Sequence, residues 1–452
     1  MATPDCDWYK TRQYIHFDLP VSKKKATQYV ISPESVSKHA FYPMIKYELI
    51  TEKIRFNKKN KKIEKLDPKK REICYSSHMD SHIYSYYCKL LEKKYENKIK
   101  TSIINKSILA FRRFKDPKCN IHFALNAFNY IKEKGECCAI ALDVSGFFSS
   151  LDPDILKRKW CELLDVEKMP QDHFNIYKSL IRQDSVDKVQ LYKELGIALN
   201  KHKKKACPLC FTKPIRCKSC KPKKIRRRIC EPNVFRSIVR KNGMISSSNK
   251  ENIGIPQGTP ISAMLSNIYM FDFDVEMKLA VNQVNGTYFR YCDDMLFIVP
   301  ICHKKNMENL AKESIRKLKL EINDKKTEVR TFNNTHGIIK SDKPLQYLGF
   351  IFDGENIFIR SSSLARYSDR MRRGVSLAYQ TMRKYNKVKA AHAIEGRGVF
   401  KRKLYSRYTH LGQRNFITYG YCSAKTMDSK SINKQLKPLF SRFNKTIERY
   451  NV

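Results

Sequence analysis

The sequence holds no apolar run long enough to span a bilayer, which excludes a chain threaded through a membrane by apolar helices. Its first residues, MATPDCDWYKTRQY, lack the apolar centre of a secretory signal peptide, so a cytoplasmic protein is expected. No internal repeat is visible, and strands and helices do not alternate regularly, which points to α+β rather than a parallel α/β sheet. Acidic residues are the scarce sign of charge: 44 Asp+Glu stand against 89 Lys+Arg, a formal net charge of +45. Such a surface attracts polyanions, and nucleic acid is the leading partner class. With no secretory signal, the 15 cysteines read as reduced thiols rather than as a disulfide framework.

What is present is enough for folded cores. Hydrophobic residues make up 42% of the chain, and 452 residues allow roughly two to four folded units. Residues 55–71, RFNKKNKKIEKLDPKKR, form a basic stretch with turn residues that suggests a hairpin. After it, Ile83, Tyr87, Leu90 and Leu91 have the spacing of one helical face, as do Met307, Leu310, Ala311, Ile315 and Leu318 further on. CCAIALDVSGFF reads as a short apolar strand, Cys137 to Leu142, ending at Asp143. GIPQGTPISAMLSNIYM opens as a Gly/Pro loop and becomes an apolar helix. LQYLGFIFDGENIFI reads as a hairpin turning at Asp353-Gly354. From Ser361 to the end the chain is helix-like and basic.

The stretch YFRYCDDMLFIV, Tyr288 to Val299, is almost all apolar and aromatic, yet two adjacent carboxylates, Asp293 and Asp294, sit in its middle. Burying such a pair is costly without a nearby cation. The pattern is that of a hairpin with the Asp pair at its tip. If its strands neighbour the Asp143 strand, three carboxylates converge. On a strongly basic protein they suit divalent cations: Mg²⁺ takes one or two carboxylates plus substrate phosphates. Two such ions, about 3.5–4 Å apart, serve phosphoryl transfer. Taken alone, the dipeptide reads better as a solvated Asp-Asp turn, common in any protein.

The motifs taken together resemble the reverse transcriptase family. YCDD at 291–294 is similar to its Tyr-x-Asp-Asp signature, DVSGFF at 143–148 to its first palm motif and GIPQGTPISAMLSN at 254–267 to its second. LEINDKKTEV (320–329) resembles the segment after the catalytic hairpin, and LQYLGF (345–350) the primer grip. The resemblance implies a right-hand polymerase with fingers, palm and thumb. It implies that Asp143 and Asp293 bind both metals with the Val144 carbonyl, and that Asp294 is the auxiliary carboxylate. Gln257 would lie beside the incoming nucleotide and template, Lys326 near the pyrophosphate, and Arg112 and Arg113 on the triphosphate. Phe148, five positions after Asp143, stands where an aromatic ring excludes a ribose 2′-OH, which implies dNTP substrates. Phe147 is expected to be the core member of that pair.

Residues 184–249 differ in composition and read as an inserted module. Cys207, Cys210, Cys217 and Cys220 make CxxC-x6-CxxC, a spacing at which four thiolates can surround one structural Zn²⁺. Cys230 and His202 are alternative ligands. Unliganded thiols and an iron–sulfur site are the alternatives to zinc. The flanking KHKKK and KPKKIRRR suit a phosphate backbone.

The expected division is therefore 1–135, N-terminal region and fingers; 136–183, first part of the palm; and 184–249, the insert. Residues 250–352 form the second part of the palm and 353–452 a helical, basic thumb. REICYSSHMDSHIYSYYCKLLEKKYE (71–96) and GQRNFITYGYCSAK (412–425) are similar to bacterial defence-associated reverse transcriptases of the "unknown group". That resemblance implies cDNA synthesis in antiphage defence, with a structured non-coding RNA as partner. A retron or group II intron-type enzyme, and a nucleic-acid-binding protein on a decayed polymerase fold, are the competing readings. About a hundred residues after LQYLGF leave room for a thumb, and no nuclease segment is visible. Tyr367, Tyr379, Tyr385, Tyr405 and Tyr408 interleave with the C-terminal charge. They are expected to divide between base stacking and the helices' own apolar stripe.

Overall fold

Apolar runs and turn residues are realised as helices and strands in a computed structural model that describes residues 6–57, 62–114, 116–197, 227–247 and 253–451. Cys207, Cys210, Cys217, Cys220 and His202 lie outside the described residues. The mixed helix and sheet content expected from the sequence is present, and nearly all strand pairing is antiparallel. The chain divides into two compact units.

The first unit comprises Met1–Arg112, Val144–Glu276 and Ala311–Ile322. Its sheet is dominated by two long antiparallel strands, Met44–Asn57 and Lys62–Tyr75, which realise the hairpin expected around 55–71. Met44–Asn57 also pairs in parallel with Asp184–Asp187. Helix His78–Lys100 starts where the Ser77 hydroxyl accepts from the Asp80 amide, satisfying one of the free N–H groups of its first turn. Ile83, Tyr87 and Leu91 are buried along it, as their spacing predicts, and Tyr84, Tyr95 and Ile99 extend the face. Leu90 was expected on that face but is exposed, because the buried positions drift round the helix at intervals of four from Ile83 to Ile99 and Leu90 lies just outside the arc they cover.

The second unit comprises Arg113–Asp143, Met277–Leu310 and Asn323–Val452. Its main sheet has five antiparallel strands in the order Thr287–Tyr291, Asp294–Val299, Cys137–Asp143, Glu328–Thr335, Ile338–Ser341. Cys137–Asp143 is central, and Cys137 to Ile140 have no exposed surface. That is why this strand reads as a continuous apolar run rather than as an alternation. A second sheet holds Leu345–Tyr347, Phe350–Phe352 and Ile357–Ile359. The last two form the expected hairpin, turning where Gly354 adopts φ 110°.

Helix Asn120–Lys134 and the C-terminal helices complete this unit's core, in which Phe128, Phe332, Phe352, Met371, Val375 and Phe443 are buried together. Helix Ser361–Ala390 buries Tyr367, Met371, Val375 and Tyr379 at intervals of four, one stripe of a helix. Tyr405 and Tyr408 pack against the same core. Of the five interleaved tyrosines only Tyr385 is exposed, with the Arg397 guanidinium 4.4 Å above its ring. No helix among the described residues is long and apolar enough to cross a membrane.

Candidate active site

Strand Cys137–Asp143 carries its apolar side chains into the core and ends on a carboxylate. Asp143 is the direct cross-strand partner of Asp294. Directly opposed residues of an antiparallel pair project to the same face, with Cβ atoms about 4.5–5.5 Å apart. The strand neighbourhood that the sequence left conditional is present, and its register sets Asp143 opposite Asp294. Asp294 also pairs with Tyr291, so Cys292 and Asp293 form the hairpin tip. Asp143 and Asp293 are half-buried and Asp294 is exposed.

The tip is held in an uncommon conformation. Cys292 has φ 61°, the left-handed region that costs a non-glycine residue about 1–2 kcal/mol. Arg290, with no exposed surface, donates from Nη1 to the Cys292 carbonyl at 3.1 Å. Burial and the adjacent Asp293 charge push the Cys292 thiol up to about 12. Tyr347 is buried, and its hydroxyl has no hydrogen-bond partner among the described residues. Burial, with Asp294 and Tyr291 nearby, raises that phenol well above its usual range.

A cation already meets one carboxylate. Lys326 donates from Nζ to Asp143 Oδ2 at 2.5 Å, and the Asn323 amide donates to the Asp143 carbonyl at 2.8 Å. The 3₁₀ turn Asp324–Lys326 thus brings the lysine to the Asp143 strand. Among the described residues no three His, Cys, Asp or Glu side chains close around one point as a ready-made metal cage. Magnesium does not require one, since it is bound by one or two carboxylates with phosphates and water filling the remaining positions. Three carboxylates at one sheet end, one of them neutralised by an ammonium, form a donor set that fits Mg²⁺.

The first unit contains the other motif residues. Val144 bridges to Ile322, and the Ser145 amide donates to the Glu321 carbonyl at 2.8 Å. Phe147 is buried while Phe148 is only half-buried, as the sequence suggested. The Phe148 carbonyl accepts from Ile255, and the Leu151 carbonyl from Gly254. A Cβ at Gly254 would lie 2.5 Å from the Ser149 carbonyl oxygen, so only glycine permits this approach. Gly258, at φ 119°, comes equally close to the Cys74 carbonyl. Between them the Gln257 carbonyl accepts from the Cys74 amide at 3.0 Å, and the residue is exposed. The two glycines thus let the Pro-Gln-Gly turn lie flat against its neighbours and present Gln257.

Arg112 and Arg113 have different surroundings. Arg112 forks onto Glu96, with both bonds at 2.9 Å. Its remaining N–H groups go to the Asn105 carbonyl and side chain and to the Ile108 carbonyl. All five donors are committed, so this guanidinium has no open edge for a phosphate. Arg113, in the other unit, is exposed.

Residues 216–352 match the family model described as reverse transcriptase (RNA-dependent DNA polymerase). The matched stretch includes the Pro-Gln-Gly turn, the Asp293–Asp294 hairpin, Lys326 and Tyr347. That segment is similar to the reverse transcriptase family, and with the mixed helix and sheet content the similarity fits a right-hand polymerase. No curated protein matches the chain. Among solved structures, the chain is similar to apo telomerase from Candida tropicalis truncated from its C-terminal domain. The identity is 10% and the TM-score 0.40, over 70% of this chain and 57% of that one. Apo telomerase from Candida tropicalis gives 11% and 0.42, over 89% and 65%. Telomerase from Candida albicans, in complex with a TWJ fragment of telomeric RNA, gives 10% and 0.38, over 97% and 71%. The chain thus spans less than two thirds of the first two structures' own length.

Sequence reasoning missed Arg290 and the isolation of the Tyr347 hydroxyl. A signal for Arg290 was present: a charged residue inside the apolar run YFRYCDD.

Proposed function

We propose that the chain is an RNA-directed DNA polymerase that copies RNA into cDNA from dNTPs. The observation that carries this reading is the Asp143–Asp294 register beside the Asp293 tip, in a chain whose residues 216–352 match the reverse transcriptase family. Asp143, Asp293, Asp294 and the Val144 carbonyl are the proposed ligands of two Mg²⁺ ions. When bound, these activate the attacking 3′-hydroxyl and stabilise the leaving pyrophosphate. Lys326, paired with Asp143 here, is the side chain proposed to meet that pyrophosphate. Gln257 is assigned to the incoming nucleotide and template, and the half-buried Phe148 ring to excluding a 2′-OH. The triphosphate contact falls to Arg113, while Arg112 fastens the preceding segment to Glu96.

The right-hand division into fingers, palm and thumb belongs to the same proposal. So does one structural Zn²⁺ on Cys207, Cys210, Cys217 and Cys220. The net charge of +45 supports a long or folded RNA partner, and Tyr385 is the tyrosine exposed for stacking on an unpaired base. The segments 71–96 and 412–425 favour a bacterial antiphage role with a dedicated non-coding RNA over a retron or intron setting.

Primer extension on an RNA template tests the activity, and sequencing of RNA copurified from the native host tests the partner. The expected results are Mg²⁺-dependent, dNTP-specific extension and one enriched RNA species. Extension that survives Asp143→Asn overturns the site assignment. A random sample of transcripts removes the dedicated RNA.

A further inference from the structure

Arg290 has no role in the reading above, yet its guanidinium has no exposed surface. Arginine stays protonated when buried, so enclosing it is costly unless the charge is put to use. Strand Thr287–Tyr291 alternates, placing Tyr291 on one face and Arg290 on the other. From there Arg290 reaches forward and donates from Nη1 to the Cys292 carbonyl. Cys292 is the left-handed residue of the tip, and the peptide that follows it carries Asp293. The hydrogen bond from Arg290, at 3.1 Å, places a buried cation against the peptide that joins Cys292 to Asp293.

We propose that Arg290 is a positioning residue for metal binding: by holding the Cys292 carbonyl it fixes the left-handed tip and thereby the direction in which Asp293 presents its oxygens. This rests on the polymerase reading, since the metals belong to it. Two consequences follow from the geometry. A left-handed cysteine has a more favourable conformation available, and the hydrogen bond to its carbonyl opposes the relaxation. A fixed positive charge near the tip also offsets part of the repulsion between adjacent carboxylates before any metal arrives. Both effects lower the cost of assembling the acidic site, so removing the arginine should weaken metal binding. Nucleotide recognition by residues elsewhere should be left unchanged.

The test uses the full chain as wild type, Arg290→Met, Arg290→Lys and Asp293→Asn. Three quantities are read: the melting temperature, Mn²⁺ binding by calorimetry without nucleic acid, and the Mg²⁺ concentration giving half-maximal primer extension. Arg290→Met should weaken Mn²⁺ binding and raise the Mg²⁺ requirement in parallel, each by about tenfold or more, as loss of an outer support commonly does. At saturating Mg²⁺ its KM for dNTP should match the wild type. Arg290→Lys, which retains charge and one donor, should fall between. A folded Arg290→Met protein with wild-type metal binding and requirement overturns the proposal. If Arg290→Met does not fold, Arg290→Lys decides, and an unchanged metal requirement there overturns it too. If neither folds, the arginine is a core support and the proposal also fails. The polymerase reading fails separately: the wild type then makes no DNA, or Asp293→Asn makes as much as the wild type.

Discussion

Two regions of this chain set ionisable groups against an apolar interior, and they do so in opposite ways. At the end of the five-stranded sheet, Asp143, Asp293 and Asp294 sit where the apolar strands stop, half-buried or exposed, with the Lys326 ammonium against Asp143. In the N-terminal part of the other unit, His16, His78 and His82 are buried, and each has at least one ring nitrogen without a hydrogen-bond partner among the described residues. Burial drives those imidazoles towards the neutral form. His16 falls to about 3, helped by His78 and only weakly opposed by the Tyr75 backbone, and His82 falls to about 4, helped by Arg12. One region sets three carboxylates at a sheet end with an ammonium against one of them; the other encloses imidazoles that burial drives to the neutral form. Strand-end carboxylates remain available for cations, whereas enclosed histidines report only on folding. An arrangement for chemistry is thus distinguished by where ionisable groups sit along an element, not by how many there are.

The comparison breaks most sharply at the hairpin tip. Asp293→Asn should reduce DNA synthesis to background while leaving the melting temperature unchanged or higher, because it removes a metal ligand and one of two repelling charges. Primer extension and a thermal melt read the two sides. A large loss of stability with partial activity would make the Asp pair structural.

Arg112 extends the contrast to a buried charge that is fully paired. Replacing it with Met leaves Glu96 without its partner and should cost about 3 kcal/mol in a denaturant melt. The KM for dNTP of the folded variant should not change. An elevated KM with unchanged stability would return Arg112 to the triphosphate.

The histidine region makes a pH prediction. With the folded His16 value far below the ordinary 6.5, its contribution to stability is complete above about pH 6.5 and is lost as pH falls towards 3. At pH 5 the loss is about 2 kcal/mol for this residue alone. Urea midpoints at pH 7.5 and 5 should show a smaller drop for His16→Leu than for the wild type. Identical drops would mean that His16 is already protonated in the fold.

The smallest effect concerns sugar choice. Phe148→Ala should raise ribonucleotide incorporation relative to dNTPs by about tenfold, the scale of a lost steric contact. A wild type that already uses both sugars would remove the gate.

Much of the Asp-pair hairpin was legible in the sequence because its determinants are local. Asp143 at the end of an apolar run, the Asp pair inside another and the Gly/Pro turn before an apolar helix are each set by a few adjacent residues. The cross-strand register of Asp143 with Asp294 was conditional on strand neighbours, since 151 positions separate the two residues. Arg112 was not legible as a clamp because Glu96 lies 16 positions earlier, on a helix that ends at Lys100, with irregular chain between them. Nothing in SHMDSH announces that His78 and His82 lose their charge, because burial comes from packing by Trp8, Tyr9 and Tyr14. Leu90 shows the same limit at small scale: one position on a helix separates a core face from solvent.

The account rests on the sheet-end carboxylates acting as a metal-dependent polymerase site. The most direct measurement is primer extension on a defined RNA template by the wild type and by Asp143→Asn, each with dNTPs, with and without Mg²⁺. The account predicts full-length cDNA from the wild type only when Mg²⁺ is present, and none from a folded Asp143→Asn protein. Synthesis by Asp143→Asn at the wild-type rate, or extension that ignores Mg²⁺, would contradict it.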